Sequence, residues 1–391
     1  MSEAVDFGVY VHIPFCRAKC RYCDFNSYAG REELIPVYLA ALAGELVAAA
    51  PRAVGRRART LYLGGGTPSL LAPASLAQLV ERVRRLFALP AESEITLEAN
   101  PGTVDEAYLR GARQAGINRL SLGVQGFDDR RLRFLGRIHS TSTAIAAYEA
   151  ARRAGFANLS IDLIYCLPGE TAAQVRSELA QAVTLVPEHL SLYGLSIEGE
   201  TPLAADVASG LVTPTSADES AALHEVAAEV LEAAGYVQYE VSNWARRGPR
   251  GELVLCQHNL GYWRNEPYIG FGAGAHSYFG GRRYRNVADP AVYVDRVVAG
   301  GEAVADGEDV DPATSARDTL MLGLRLADGV SLPALAGRHG IDLAAVCGEE
   351  LDVLASLGLL TWSAERVALT RRGRLVLDEI LLRLLPKLEA G

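Results

Sequence analysis

Lysine is nearly missing from this chain: of 38 basic residues, only Lys19 and Lys387 are lysines. That disfavours Schiff-base lysine chemistry and a P-loop, each of which needs a placed lysine. An excess of positive charge is missing as well. The formal net charge of −9 argues against broad nucleic-acid binding. No apolar run approaches the ~20 residues of a membrane span, so a membrane-embedded protein is not expected. The N-terminus carries Glu3 and Asp6 rather than basic residues before its short apolar run, which does not read as a signal peptide. The six cysteines form no even disulfide framework, a usage that suits a reducing cytoplasm. Low-complexity segments are absent too, and 391 residues leave room for one large domain and a smaller one.

What is present is concentrated near the start. Cys16, Cys20 and Cys23 fall within eight residues, spaced C-x3-C-x2-C, directly after a short apolar run. Thiolates held this closely on one loop can converge on a soft metal centre, and iron–sulfur clusters are ligated this way. Three ligands would leave one iron of a four-iron cluster open, the logic that separates catalytic from structural metal sites. A zinc knuckle is the alternative. It would want a fourth Cys or His nearby, but the next cysteine is Cys166 and His12 lies inside the preceding β-like run.

Six β-like runs follow one another: 6–13, 59–63, 94–98, 117–124, 158–164 and 188–196. Helical sequence separates them, over 32–50, 74–88, 104–115, a stretch reaching 154, and 171–185. Such alternation argues a parallel sheet with right-handed crossovers, either a β/α barrel or a doubly wound sheet. Polar or glycine-rich residues gather at the C-terminal ends of the strands, where a β/α barrel binds its ligands. Gly64-Gly65-Gly66-Thr67-Pro68 brings bare backbone towards a ligand or makes a tight turn. Glu98, Gln125, Arg137 and Asp162 lie at or near strand ends. Together they offer donors and acceptors to a zwitterionic cofactor, though each alone could be a capping or surface residue.

The cysteine spacing, with Tyr22 just before the last Cys, resembles the signature loop of the radical S-adenosylmethionine (SAM) superfamily. That resemblance implies a [4Fe–4S] cluster on Cys16, Cys20 and Cys23, with SAM chelated by the free iron. It also implies an incomplete (β/α)6 barrel rather than the doubly wound sheet. The GGGTP run, with Gly65, Gly66 and Thr67, is similar to the family motif that meets SAM's amino group. LEANPGT, LGVQ, LGRIH and SIDLIYCLPG match the coproporphyrinogen III dehydrogenase-like group. They carry Glu98, Gln125, Arg137 and Asp162 over as SAM contacts, and Tyr10, Tyr22 and Phe25 join them beside the cluster. Gly126 and Cys166 depart from that group's pattern; Cys166 reads as a buried small hydrophobe, and Cys256 and Cys347 as structural.

Past residue 197 the alternation weakens. A helix is expected over 216–234 and a strand over 235–243. His258-Asn259-Leu260-Gly261-Tyr262-Trp263 offers an imidazole and two aromatic rings to a flat macrocycle, or else a structural His–Asn pair beside core aromatics. The motif resembles H-N-x-x-Y-W of HemW-type heme chaperones, which implies heme at His258, Asn259, Tyr262 and Trp263. His276, in a GxGAHS pattern of the same family, is expected near the cofactor or bracing its loop. Residues 311–391 read as three helices, a small hairpin and a final helix, similar to a winged helix. Nine basic against eleven acidic residues there give no footprint for DNA, so a packing or partner-docking module is expected. The expected division is therefore a barrel over 1–200, an α+β extension over 201–310 and the small module over 311–391.

Two branches of the family remain. The decarboxylating coproporphyrinogen III dehydrogenases have a further cysteine where this chain has Phe25, and a longer arm before the cysteine loop. Both departures, with HNLGYW, favour a heme chaperone. The resemblance then implies heme as cargo, a respiratory apo-hemoprotein as acceptor, an electron donor for the cluster and a homodimer as a possible state. Radical decarboxylation of coproporphyrinogen is the alternative.

Overall fold

The six expected strands are β1 (Phe7–Ile13), β2 (Ala58–Gly65), β3 (Glu94–Ala99), β4 (Arg119–Gln125), β5 (Leu159–Tyr165) and β6 (His189–Gly194). The structure is a computed structural model that describes residues 6–388. Each of these strands pairs in parallel with the next. Helices Ile35–Ala49, Pro73–Phe87, Glu106–Gln114, Thr141–Arg153 and Ala172–Thr184 lie between them. Local chemistry marks their starts: Asp105, Ser140 and Thr171 cap the last three, Thr171 in a reciprocal box with Gln174.

Within each strand the side chains alternate. Phe7, Val9, Val11 and Ile13 of β1, Leu61 and Leu63 of β2, and Leu120, Leu122 and Val124 of β4 are fully buried in one continuous hydrophobic core. The residues between them turn to the other face, and they are largely polar: Tyr10, Tyr62, Glu98, Arg119, Ser121, Asp162, His189 and Ser191 line a common cavity. The period of two thus separates a dry outer layer, packed on the helices, from a polar lumen.

Six further strands extend this sheet: β7 (Val237–Gln238), β8 (Asn243–Ala245), β9 (Tyr268–Phe271), β10 (His276–Phe279), β11 (Arg282–Asn286) and β12 (Val304–Asp309). The order is β12-β11-β10-β9-β1-β2-β3-β4-β5-β6-β8-β7. β9 runs parallel beside β1, while the outer strands on both edges pair antiparallel. The (β/α)6 barrel is therefore open, with both of its edges continued by residues beyond 200. The strand expected over 235–243 is broken into β7 and β8. Between them the Glu240 carboxylate accepts from Ser242 N at 3.1 Å and Gln238 Nε2 donates to Val241 O, folding the chain into a turn.

One expectation about length needs correcting. With its 3-10 flanks, helix Ile35–Ala49 belongs to a 22-residue segment, Glu32–Ala53, of mean hydropathy 1.7, long and apolar enough to cross a membrane by those measures. Polar interruptions hid it in the sequence. Here its Tyr38, Leu42 and Leu46 are buried in the barrel's core.

Helices Pro312–Gly323, Leu332–His339 and Leu343–Ser356 pack with hairpin strands Leu360–Trp362 and Arg366–Leu369 around a second core that includes Leu320, Leu351, Leu354, Val367 and Ile380. Two of its arginines tie it to the rest of the chain. Arg371 pairs with Glu225 and Glu232, and Arg338 donates to Asn265 O at 2.6 Å.

Glu240, buried at this junction with one carboxylate oxygen unpaired, is pushed up to about 7 by burial. The folded state then holds a proton that the unfolded chain has released. Stability is full below the ordinary carboxylate pKa and falls as pH rises through 7. Glu240→Gln should therefore leave the urea midpoint nearly unchanged at pH 4 and raise stability at pH 8 by about 3 kcal/mol, measured by denaturant unfolding at both values.

Candidate functional site

The lumen opens at the C-terminal ends of β1–β6 into a cavity of about 650 Å3, within the size range of small-molecule sites. Cys16, Cys20 and Cys23 all reach it, and none is in a disulfide. Each neighbour of this loop fixes part of it. Thr67 Oγ1 donates to Cys16 Sγ at 3.4 Å and Arg137 Nη1 to Cys20 Sγ at 3.3 Å. Asn100 links the two, since its Nδ2 donates to Thr67 Oγ1 and its Oδ1 accepts from Arg137. Lys19 Nζ donates to Phe25 O and Ser27 O, closing the loop's far side. Burial pushes the Cys16 and Cys23 thiols up, opposed by hydrogen bonds from Thr67 to Cys16 and from the Phe25 backbone to Cys23.

Among the described residues no three His, Cys, Asp or Glu side chains converge tightly enough to share one metal ion. A mononuclear zinc site needs that convergence, whereas a cluster takes one thiolate per iron. The donor set and its setting fit the cluster.

The residues expected to hold SAM surround the same cavity: Tyr10, Tyr22, Phe25, Gly65, Gly66, Thr67, Glu98, Gln125, Arg137 and Asp162 all line it. Gly65 has φ +113, and a Cβ on Gly66 would stand 2.7 Å from Phe15 O and 3.0 Å from Cys16 Sγ. This turn needs glycine for conformation at one position and for close approach at the other. Gln125 holds a left-handed φ of 65, with its Oε1 buried and unpaired. Arg137 Nε is likewise buried without a partner. Strain and unpaired polar atoms at one strand end mark a place for a polar ligand.

The acids sit deeper. Glu98 accepts from Tyr62 OH at 2.7 Å and Gly65 N at 3.0 Å, and burial raises it to about 7. Asp162 lies mid-strand in β5 rather than at its end. It accepts from Ser121 Oγ and Ser160 Oγ, and burial raises it as well. Phe25 stands at the rim, 62% exposed. Tyr10 OH donates to His12 Nδ1 at 2.9 Å, because His12 Nε2 must carry the hydrogen given to Asn26 O at 2.8 Å.

The HNLGYW motif forms helix Gln257–Trp263, which plugs the opposite end of the lumen. Glu94, at the start of β3, caps it by accepting from Gln257 N and His258 N at 3.0 Å each. The residues expected at heme are placed as follows. His258 is 3% exposed, and its Nδ1 and Nε2 are bonded to Thr60 Oγ1 at 2.7 Å and Tyr262 OH at 2.8 Å. Its ring stacks on Tyr62 with centroids 5.2 Å apart. Burial, with Arg59 and Arg119 nearby, pulls it down to about 3, so it is neutral. Neither nitrogen is free for an iron. Trp263 lies outside the cavity and packs on Tyr239, Ala245, Leu260 and Leu326. Asn259 and Tyr262 do reach the cavity. His276, on β10, is exposed and away from the lumen; its pattern's glycine loop braces Asn26, whose Nδ2 donates to Ala273 O at 3.0 Å.

Asn100, Arg119, Ser121, His189, Ser191 and Asn243 belong to the cavity or its walls and were missed in the sequence. Alternation was the available signal for Arg119, Ser121, His189 and Ser191. In R-L-S-L-G-V-Q and H-L-S-L-Y-G every second residue is polar, which on a covered strand points to a polar lumen.

The radical SAM superfamily is matched over residues 10–181 and the HemN C-terminal domain over 310–376. The chain is 36% identical to the heme chaperone HemW of Bacillus subtilis over 95% of this chain and 97% of that one. It is 38% identical to that of Mycobacterium tuberculosis (97% and 95%) and 36% identical to that of Escherichia coli (97% and 98%). Among solved structures, the coproporphyrinogen III oxidase HemN of Escherichia coli, a radical SAM enzyme, superposes with a TM-score of 0.83. That match has 25% identity and covers 98% of this chain and 91% of that one.

Two variants test the geometry. Gly66→Ala should keep the far-ultraviolet spectrum but lose more than half of the iron and acid-labile sulfide taken up on anaerobic reconstitution, because the new Cβ displaces the Phe15–Cys16 backbone. His258→Ala should lower unfolding stability by about 3 kcal/mol through two lost hydrogen bonds and a cavity, with iron content unchanged. A variant of native stability that binds no hemin would instead restore His258 as a ligand.

Proposed function

The chain belongs to the radical SAM superfamily, in the HemW branch of its coproporphyrinogen III dehydrogenase-like group, and on that premise we propose that it is a heme chaperone, binding heme and passing it to an apo-hemoprotein. The similarity to proteins named heme chaperone HemW, spread over nearly the whole chain, carries this reading. Phe25 supports it, standing where the decarboxylating relatives place another cysteine.

In this reading Cys16, Cys20 and Cys23 hold a [4Fe–4S] cluster, each through one thiolate. Deprotonation is part of loading, since burial keeps two of the thiols protonated in the empty loop. The Gly65-Gly66-Thr67 turn, Gln125 and Arg137 hold SAM against the cluster, with Tyr10, Tyr22 and Phe25 around it and Glu98 and Asp162 below. When bound and reduced by an electron donor, the pair supplies a carbon radical. Arg137 has a second task at Cys20 Sγ, where its guanidinium holds the loop and offsets thiolate charge. Six free cysteines among the described residues suit the reducing cytoplasm as the place of action. The three-part division at residues 200 and 310 is retained, with the last part as a docking module.

The fold match to HemN keeps one other reading in view, decarboxylation of coproporphyrinogen III. One assay separates them. Anaerobically reconstituted protein, given SAM and a reductant, should bind hemin stoichiometrically and leave coproporphyrinogen III unconverted. Protoporphyrinogen accumulating over many turnovers would overturn the chaperone reading.

A further inference from the structure

Arg119 is among the largest fully buried side chains of the protein, 2% exposed, and it lines the lower part of the cavity. Among the described residues it makes no hydrogen bond or ion pair, and its Nε is enclosed without a partner. Acids are close enough to feel its charge: Glu94, Glu98 and Asp162. Each of them is engaged elsewhere. Glu94 caps the helix at Gln257 and His258, Glu98 takes Tyr62 OH and Gly65 N, and Asp162 takes two serine hydroxyls. The remaining groups facing Arg119 are Cys256, Tyr62, Tyr239, His189 and His258, none of them a hydrogen-bond partner. A guanidinium enclosed this way is costly unless something accepts from it.

Asn259 Nδ2, also buried and without a close acceptor, stands on the same floor: its side chain faces the Tyr239 hydroxyl and its backbone N–H the Cys256 thiol, both of which Arg119 also faces. Two donors, one of them a planar fork, select an acceptor-only group of matching geometry, a carboxylate. Asn243 Oδ1 is an unpaired acceptor beside them and suits a water.

We propose that Arg119, with Asn259, forms a carboxylate-binding subsite on the barrel floor, holding an acid group of the cavity's ligand. Its ligand follows from the function proposed above: the carboxylate on offer is a heme propionate, since SAM is held at the cluster end by the Gly65-Gly66-Thr67 turn, Gln125 and Arg137. The subsite also gives the HNLGYW helix a binding role through Asn259 rather than His258.

Cluster-loaded wild type and Arg119→Met are titrated with hemin, hemin dimethyl ester and SAM. The variant should lose about tenfold in affinity for hemin, while SAM and the ester, already weak on wild type, are unaffected. Asn259→Ala should move the same ligand in the same direction by less. Ligand-free Arg119→Met should melt at or above the wild-type temperature, since it removes an unpaired buried charge. Unchanged affinity for hemin, or a loss of SAM affinity in its place, overturns the subsite. So does a ligand-free variant that melts well below wild type, because the charge would then be compensated within the protein. Wild type that fails to bind hemin at all overturns the chaperone reading instead, and the melting comparison still decides on Arg119.

Discussion

A sheet that curls its polar face inward must satisfy every charged group it encloses, because the lumen offers little bulk water to do it. In this barrel the strands do that for one another. Asp162 on β5 is held by Ser121 on β4 and Ser160 on its own strand, and Glu98 on β3 by Tyr62 and Gly65 on β2. Each bond crosses a strand boundary or steps two residues along one strand, so the alternation that turns polar side chains inward also sets the register in which they meet. The acids then sit where burial raises them, and these bonds give the cavity above a fixed floor.

That rigidity carries upward into the cysteine loop. Thr67 at the end of β2, Asn100 after β3 and Arg137 after β4 form one chain of hydrogen bonds that ends on two of the three sulfurs. The loop therefore inherits its position from three strand ends rather than from its own short sequence. A loop supported in this way can present its thiolates to a cluster without a large ordering cost.

Much of this was legible in the sequence, and the reasons for the rest are physical. The strands β1–β6 and their helices were readable because each is a local pattern with local caps, and the cysteine loop because its ligands lie within eight residues. The break in 235–243 was not readable, since Glu240 folds its own backbone into a turn that β-propensity does not foresee. The motif at 258–263 was read for its chemistry, while its place at the start of the barrel strands was not legible. What decides its role is Glu94, which lies more than 160 residues away and caps the helix. Arg119 was passed over because a single arginine in an apolar run looks like an outward-facing residue until the lumen is known to be polar.

The contact between Asn26 and the loop after β9 has a consequence in time. Asn26 follows the last cysteine by three residues, and its side-chain amide donates to Ala273 O and Ala288 O. His12, which holds Asn26 O, depends on the same neighbourhood. During synthesis the cysteine loop emerges among the first parts of the chain, yet its brace is made of residues that leave the ribosome more than 240 positions later. Until then the loop has its contacts to Thr67 and Arg137, joined by Asn100, but lacks the Asn26 brace on its far side. A chain truncated before residue 273 would carry all three ligands without either of the two carbonyls that hold Asn26.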